Sequence, residues 1–157
     1  MRLALYQPDI PQNTGAMLRL GACFRVPVDV IEPCGFPLDD KRLKRTAMDY
    51  GASCELVRHT SWDSYLANLR AQPGTRLILL TTAGAVPYSD FVFEAGDSLL
   101  LGRESRGVPP DVVAAADAAV RIPMAAEMRS LNVTTAAAIV LTEALRQLGF
   151  FTGKSTL

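Results

Sequence analysis

Three short polar segments carry the side chains of this 157-residue sequence that are best suited to chemistry. The first runs from Asn13 to Arg19, the second is Gly102-Arg103-Glu104-Ser105-Arg106-Gly107, and the third runs from Met124 to Arg129-Ser130-Leu131-Asn132. The third segment stands just before a long helical stretch. A helix's first turn leaves its N–H groups without partners inside the helix, so polar residues there face whatever lies at that end. Two readings follow: a capped helix after an ordinary loop, or one wall of a site. In the second segment the bracketing glycines permit close ligand approach, and Glu104 lies between two arginines. Its alternative is a surface turn with an ion pair worth roughly 0–1 kcal/mol. Arg19 falls nearly opposite Met17, Gly21 and Phe24 at helical spacing, so it is either solvated or meets a partner outside its own core.

Other chemistries find less support. The sequence lacks a G-x-G-x-x-G after its first strand, a G-x-x-x-x-G-K-[ST] and a G-x-S-x-G, which removes the dinucleotide fingerprint, the P-loop and the nucleophile elbow. Cys23, Cys34 and Cys54 have no paired spacing, and His59 has no second imidazole, so a metal site is not expected; the cysteines read as reduced thiols, some of them buried. Sixteen basic and sixteen acidic side chains cancel, so any nucleic-acid contact must come from a local patch. Lys41, Arg42, Lys44 and Arg45, after Asp39-Asp40, form either a solvated helix with its charges aligned to the helix dipole or such a phosphate-binding patch. No run of about 18 apolar residues exists to span a bilayer, and the opening MRLALYQP carries too short an apolar run for a signal peptide, which predicts a cytoplasmic protein.

The elements that must position these segments alternate. Apolar runs at Leu3–Tyr6, Val26–Ile31, Cys54–Val57, Leu77–Leu80, Ser98–Leu101 and Ala119–Ile122 predict strands. Between them the pattern predicts a helix capped by Asn13, the basic helix, a helix over Ser61–Leu69 capped by Ser61 with Trp62 in the core, and a helix over Asp111–Ala116. The last helix has a core stripe at Val133, Ala137, Val140, Ala144 and Leu148, widened by Leu141 and Leu145. Ala136 and Ile139 lie outside the stripe, which suits either a homodimer contact or burial within one chain. Strand and helix alternation over 157 residues predicts one α/β domain, 1–157, with a largely parallel sheet flanked by helices.

The three polar segments, in this order, resemble the three motifs of the SPOUT (knotted) RNA methyltransferases. The resemblance covers nearly the whole chain, through PDIPQNTGAMLRL, LLLGRESRGVP and IPMAAEMRSLNVTTAAAIVLTEALRQ. IEPCGFPLDDKRLKRTAMDY brings it closer to the small single-domain members that methylate the 2′-oxygen of a wobble cytidine or uridine in tRNA. The resemblance implies a C-terminal deep trefoil knot, which no periodicity argument would supply. It further implies S-adenosylmethionine as methyl donor without a metal, a homodimer, and the tRNA anticodon stem-loop as partner.

By matching positions, the resemblance places Leu80, Gly102, Ile122, Met124, Ser130 and Leu131 around the adenosyl ligand. Arg19 matches the first motif's arginine and would stabilise a developing alkoxide, since a guanidinium scarcely deprotonates. Asn13, Glu104, Ser130 and Asn132 would orient ribose, phosphate or that arginine. Lys41, Arg42, Lys44, Arg45, Arg129 and Lys154 would contact RNA phosphates. Departures fall near RNA and pocket: Val133-Thr134-Thr135 replaces L-S-N, Thr142 a tyrosine and Arg103 a proline, so they bear on nucleotide preference before methyl transfer. A different RNA target and a non-catalytic, ligand-sensing dimer stay open as other functions.

Overall fold

The computed structural model describes residues 1–38, 41–47 and 53–151. The paired acids Asp39 and Asp40, and Lys154 with the rest of the tail, lie outside them. Seven parallel strands form one sheet: β1 (Arg2–Tyr6), β2 (Val28–Ile31), β3 (Leu56–His59), β4 (Arg76–Leu80), β5 (Val86–Pro87), β6 (Asp97–Leu101) and β7 (Ala118–Arg121), in the order β3-β2-β1-β6-β4-β7-β5. Helices α1 (Pro11–Phe24), α2 (Lys41–Ala47), α3 (Trp62–Arg70), α4 (Pro110–Ala115) and α5 (Val133–Gln147) connect and cover it.

Strand residues alternate between two cores because side chains along a strand point to opposite faces. Leu3, Leu5, Val28, Val30, Ile78, Leu99 and Leu101 pack on one face with Met17 and Leu18 of α1 and Ala137, Val140, Leu141 and Ala144 of α5. Ala4, Tyr6, Ile31, Leu77, Leu79 and Leu100 pack on the other with Tyr65 and Leu69 of α3 and Val112 of α4. Burial on both faces explains why these strands read as continuous apolar runs. At the base of the sheet, fully buried Asp97 accepts hydrogen bonds from Arg76 Nε (2.7 Å) and Nη2 (2.8 Å), tying β6 to β4.

Several expectations shift. β2 begins at Val28, after Pro27 breaks the run, and β3 lies two residues later than predicted, at the sheet edge where Leu56 is exposed. β5, only two residues long, has no periodicity to read. Trp62 is half-buried against Tyr6, 5.8 Å between centroids, and Leu148 is exposed because α5 ends before it. Cys23 is exposed and the other two cysteines are half-buried, so none is wholly enclosed. Ser61 caps α3 as expected, accepting from Ser64 N–H at 3.1 Å.

Asn13 does not cap α1. Pro11 occupies the first helical position, where its fixed φ is already helical and its missing N–H costs nothing, so the helix starts earlier with Ile10 before it. Asn13 lies inside the first turn with its amide free to reach elsewhere.

β7 pairs with β4 on one side and β5 on the other, although β5 precedes it by some thirty residues in the chain. The segment after β4 therefore passes to the far side of β7 before returning to β6. At the crossing Gly84 meets β7 so closely that a Cβ would lie 2.4 Å from the Val120 carbonyl carbon. Arg121 Nη1 donates to Gly84 O at 2.8 Å, and Thr81 N–H to Val120 O at 3.0 Å.

Candidate active site

At the carboxyl ends of β4, β6 and β7 the loops enclose a cavity of about 480 Å³. Parallel sheets place ligands at this edge, where the strand ends leave space between diverging loops. Leu80, Gly102, Ile122, Met124, Ser130 and Leu131 all line it, as do Asn13, Glu104 and Asn132. The walls also include Thr81, Thr82 and Arg103, and with them Val108 and Ala136, which were not expected there. Arg19 is exposed on α1 and is not among the lining residues. Arg129 is exposed in the loop before α5, also off the wall.

The second polar segment is shaped by its glycines. Arg103 and Gly107 exchange backbone hydrogen bonds of 3.0 and 2.9 Å, closing a tight turn in which Gly107 has φ +67°. A Cβ on Gly102 would come within 2.7 Å of Gly107, so small residues at both ends let the turn close. Adjacent side chains diverge from it. The Arg103 guanidinium carbon sits 5.8 Å from the Tyr6 ring centroid, with Nε buried and lacking a hydrogen-bond partner. Glu104 makes no ion pair with either neighbouring arginine among the described residues. It accepts instead from Asp9 N–H at 3.1 Å and from Asn13 Nδ2 at 3.0 Å.

This contact is one link in a chain that joins all three polar segments. Asn132 Oδ1 accepts from the N–H groups of Thr134 (2.9 Å) and Thr135 (3.2 Å), capping α5. Its Nδ2 donates to Asn13 Oδ1 at 3.0 Å, Asn13 Nδ2 donates to Glu104, and Thr134 Oγ1 donates to Asn13 O at 3.3 Å. Because a helix N-terminus presents only donors, it fixes which end of the Asn132 amide points inward, and that choice sets the direction of each bond to Glu104. Burial first, and then the adjacent Asp9 carboxyl, push Glu104 above the usual carboxylate range; the hydrogen bond to Glu104 holds Asp9 below it.

The basic residues stand apart from this chain. Leu43 and Ala47 are buried against α1, leaving Lys41, Arg42 and Arg45 of α2 exposed. Nothing in the described structure bears on the Lys44 side chain.

Comparison with known proteins agrees with this arrangement. The model of the SpoU rRNA methylase family matches residues 1–142. The chain belongs to that family. Among SpoU relatives, the tRNA (cytidine(34)-2′-O)-methyltransferase of Beijerinckia indica is 55% identical over 94% of this chain and 91% of its own length. The protein of that name from Escherichia coli K12 is 41% identical over 96% of this chain and 95% of its own. A solved SpoU-like structure concerned with 2-OH methylation of C/U34 on tRNA superposes with a TM-score of 0.88, at 39% identity, over 97% of this chain and 91% of that one. The SpoU methyltransferase AviRb of Streptomyces viridochromogenes, in complex with AdoMet, gives a TM-score of 0.85 at 26% identity over 98% of this chain and 61% of that one.

Proposed function

We propose that this protein transfers a methyl group from S-adenosylmethionine to the 2′-oxygen of the wobble ribose, on cytidine or a modified uridine, in the tRNA anticodon loop. The observation that carries this is the convergence of Asn13, Glu104 and Asn132, from three separate segments, on the wall of one cavity in a chain 55% identical to a tRNA (cytidine(34)-2′-O)-methyltransferase. The cavity also fits the donor. Its volume lies within the range of ligand sites, about 300–1,000 Å³. Leu80, Ile122, Met124 and Leu131 supply apolar walls for an adenosyl group, while Ser130 and Gly102 keep polar and backbone groups at hand. When bound, S-adenosylmethionine supplies a methyl carbon already activated on a sulfonium.

The protein's own task is then to position a ribose hydroxyl and to favour loss of its proton. Arg19 stabilises the developing alkoxide as a fixed positive charge. The Asn132–Asn13–Glu104 chain holds the loops that shape the cavity, and Ser130 faces the reacting region from the loop before α5. Lys41, Arg42, Lys44, Arg45, Arg129 and Lys154 contact the phosphates of the anticodon stem-loop.

Two protomers complete the site, since Arg19 is exposed on α1 and off the cavity wall of its own chain. Exposed Ile10 and Leu131, both lining the cavity, supply apolar surface for that contact. The path of residues 81–97 around β7 supports a deep trefoil knot in the C-terminal third. The protein acts as a single domain, in the cytoplasm; among the described residues no helix is long and apolar enough to cross a membrane.

Mass spectrometry of nucleosides from the tRNA of cells with and without the protein tests the reading directly: a 2′-O-methyl nucleoside at the wobble position should disappear with it. Arg19→Ala should remove most methyl transfer while S-adenosylmethionine binding, measured by calorimetry, stays near that of the unaltered protein; full turnover would remove Arg19 from the mechanism.

A further inference from the structure

Glu104 has a second acidic neighbour that the methyl-transfer reading does not use. Asp9, on the loop between β1 and α1, donates its backbone N–H to Glu104 Oε2 at 3.1 Å, and the two acids shift each other's protonation in opposite directions, Glu104 up and Asp9 down. Asp9 Oδ2 accepts from Ser105 Oγ. Asp9 Oδ1 is buried and receives no hydrogen bond from any N–H or hydroxyl group. A buried carboxylate oxygen without a donor is costly, and two ionised carboxylates in contact are costlier still. One proton held between Asp9 and Glu104 removes both penalties.

The rest of the surroundings agree. Glu104 Oε1 must remain an acceptor, because Asn13 Nδ2 is committed to it by the amide chain that starts at α5. Only Oε2, on the Asp9 side, is left to carry a proton. From its own loop Ser105 bonds to Asp9, while Arg103 lies over the Tyr6 ring and, among the described residues, neither Arg103 nor Arg106 bonds to either carboxyl. The Cys34–Gly35 turn packs behind Asp9, with Gly35 N–H donating to Pro8 O at 2.9 Å. Burial, then the nearby Glu32, pushes the Cys34 thiol up to about 11, so it adds no charge near neutral pH. From α1 and α5 the neighbours are the neutral Asn13 and Asn132.

We propose that Asp9 is a positioning residue that shares one proton with Glu104, and that this singly protonated pair holds the Glu104–Asn13–Asn132 chain in the direction that closes the loops on the cavity. The catalytic consequence rests on the methyl-transfer reading above; the shared proton does not. A carboxyl whose folded pKa is raised favours the fold while it is protonated. The ordering is therefore complete below the ordinary glutamate range and is lost as pH rises through the raised pKa of Glu104. Above it, two carboxylates repel across the pair, and the loop carrying Glu104 separates from Asp9.

The test is carbon-13 NMR titration of side-chain carboxyls in the full chain, with the Glu104 signal assigned by its absence in Glu104→Gln. Glu104 should titrate above the ordinary glutamate range, and in Asp9→Asn its midpoint should fall by about one pH unit or more, as loss of an adjacent negative charge requires. An unmoved midpoint overturns the proposal. A second measurement follows S-adenosylhomocysteine binding by calorimetry from about pH 4, near the ordinary glutamate value, upward through neutrality. The unaltered protein should lose affinity as pH rises. Glu104→Gln should show no such pH dependence, because its amide does not ionise, and it should bind more weakly at every pH, because the amide nitrogen in the Oε2 position no longer accepts from Asp9 N–H. Alkaline loss that persists unchanged in Glu104→Gln also overturns the proposal. A normal Glu104 shift in a protein that methylates no tRNA would instead reject the functional reading and leave the shared proton standing.

Discussion

Asn132 performs two tasks with one amide, and substitution can separate them. Replacing it by alanine removes the α5 cap, which costs about 1 kcal/mol of stability, and also leaves Asn13 Oδ1 without its donor. Asn132→Asp keeps an oxygen for the N–H groups of Thr134 and Thr135 but sets a carboxylate against Asn13 Oδ1. Urea unfolding should therefore show the alanine variant destabilised and the aspartate variant close to the original, while calorimetry with S-adenosylhomocysteine should show weaker binding in both. Much of this was legible in the sequence: polar residues at a helix start, and a glycine-bracketed acid, mark positions that face an opening. The pairing was not. Asn13 has the side chain of a cap, but proline's preference for the first helical position starts α1 ahead of it. Asp9 carries no signal, since its partner Glu104 lies 95 residues away and a single acid following a proline is unremarkable in itself.

Elements were readable where both faces of a strand are covered. Leu77–Leu79 and Leu99–Leu101 have nowhere to place a polar side chain, so the sequence is apolar throughout and the strand stands out. The edges were less readable: β3 carries exposed Leu56 and Arg58, and β5 is held by register with β7 more than by its own composition. Between β4 and β5 the controlling residue is Gly84, pressed on Val120. Gly84→Ala would force its Cβ against the Val120 carbonyl, and the strain must push the 81–85 segment off β7, breaking the Thr81 to Val120 and Arg121 to Gly84 hydrogen bonds. A loss of about 1–3 kcal/mol is expected for such overpacking. Thermal unfolding should show it, and cofactor binding should weaken with it, because Leu80, Thr81 and Ile122 form the cavity wall beside the crossing.

At the scale of the molecule the charges balance, sixteen against sixteen, so association with RNA depends on where the cations lie. α2 turns Leu43 and Ala47 inward and Lys41, Arg42 and Arg45 outward, which concentrates positive charge on one side of α1. A dimer would carry two such helices. Sedimentation velocity should find a species of twice the 17.0 kDa chain mass at micromolar concentration, and a monomer there would remove the shared-site part of the mechanism. The position of β7 has a consequence for how the chain is made. It fills the gap between β4 and β5, yet residues 118–121 leave the ribosome after both of its neighbours. Throughout that interval β4 presents an unpaired edge on one side of a partly built sheet. Synthesis thus passes through a stage in which an aggregation-prone strand edge is open, and it closes only when the last strand enters a slot already bounded on both sides.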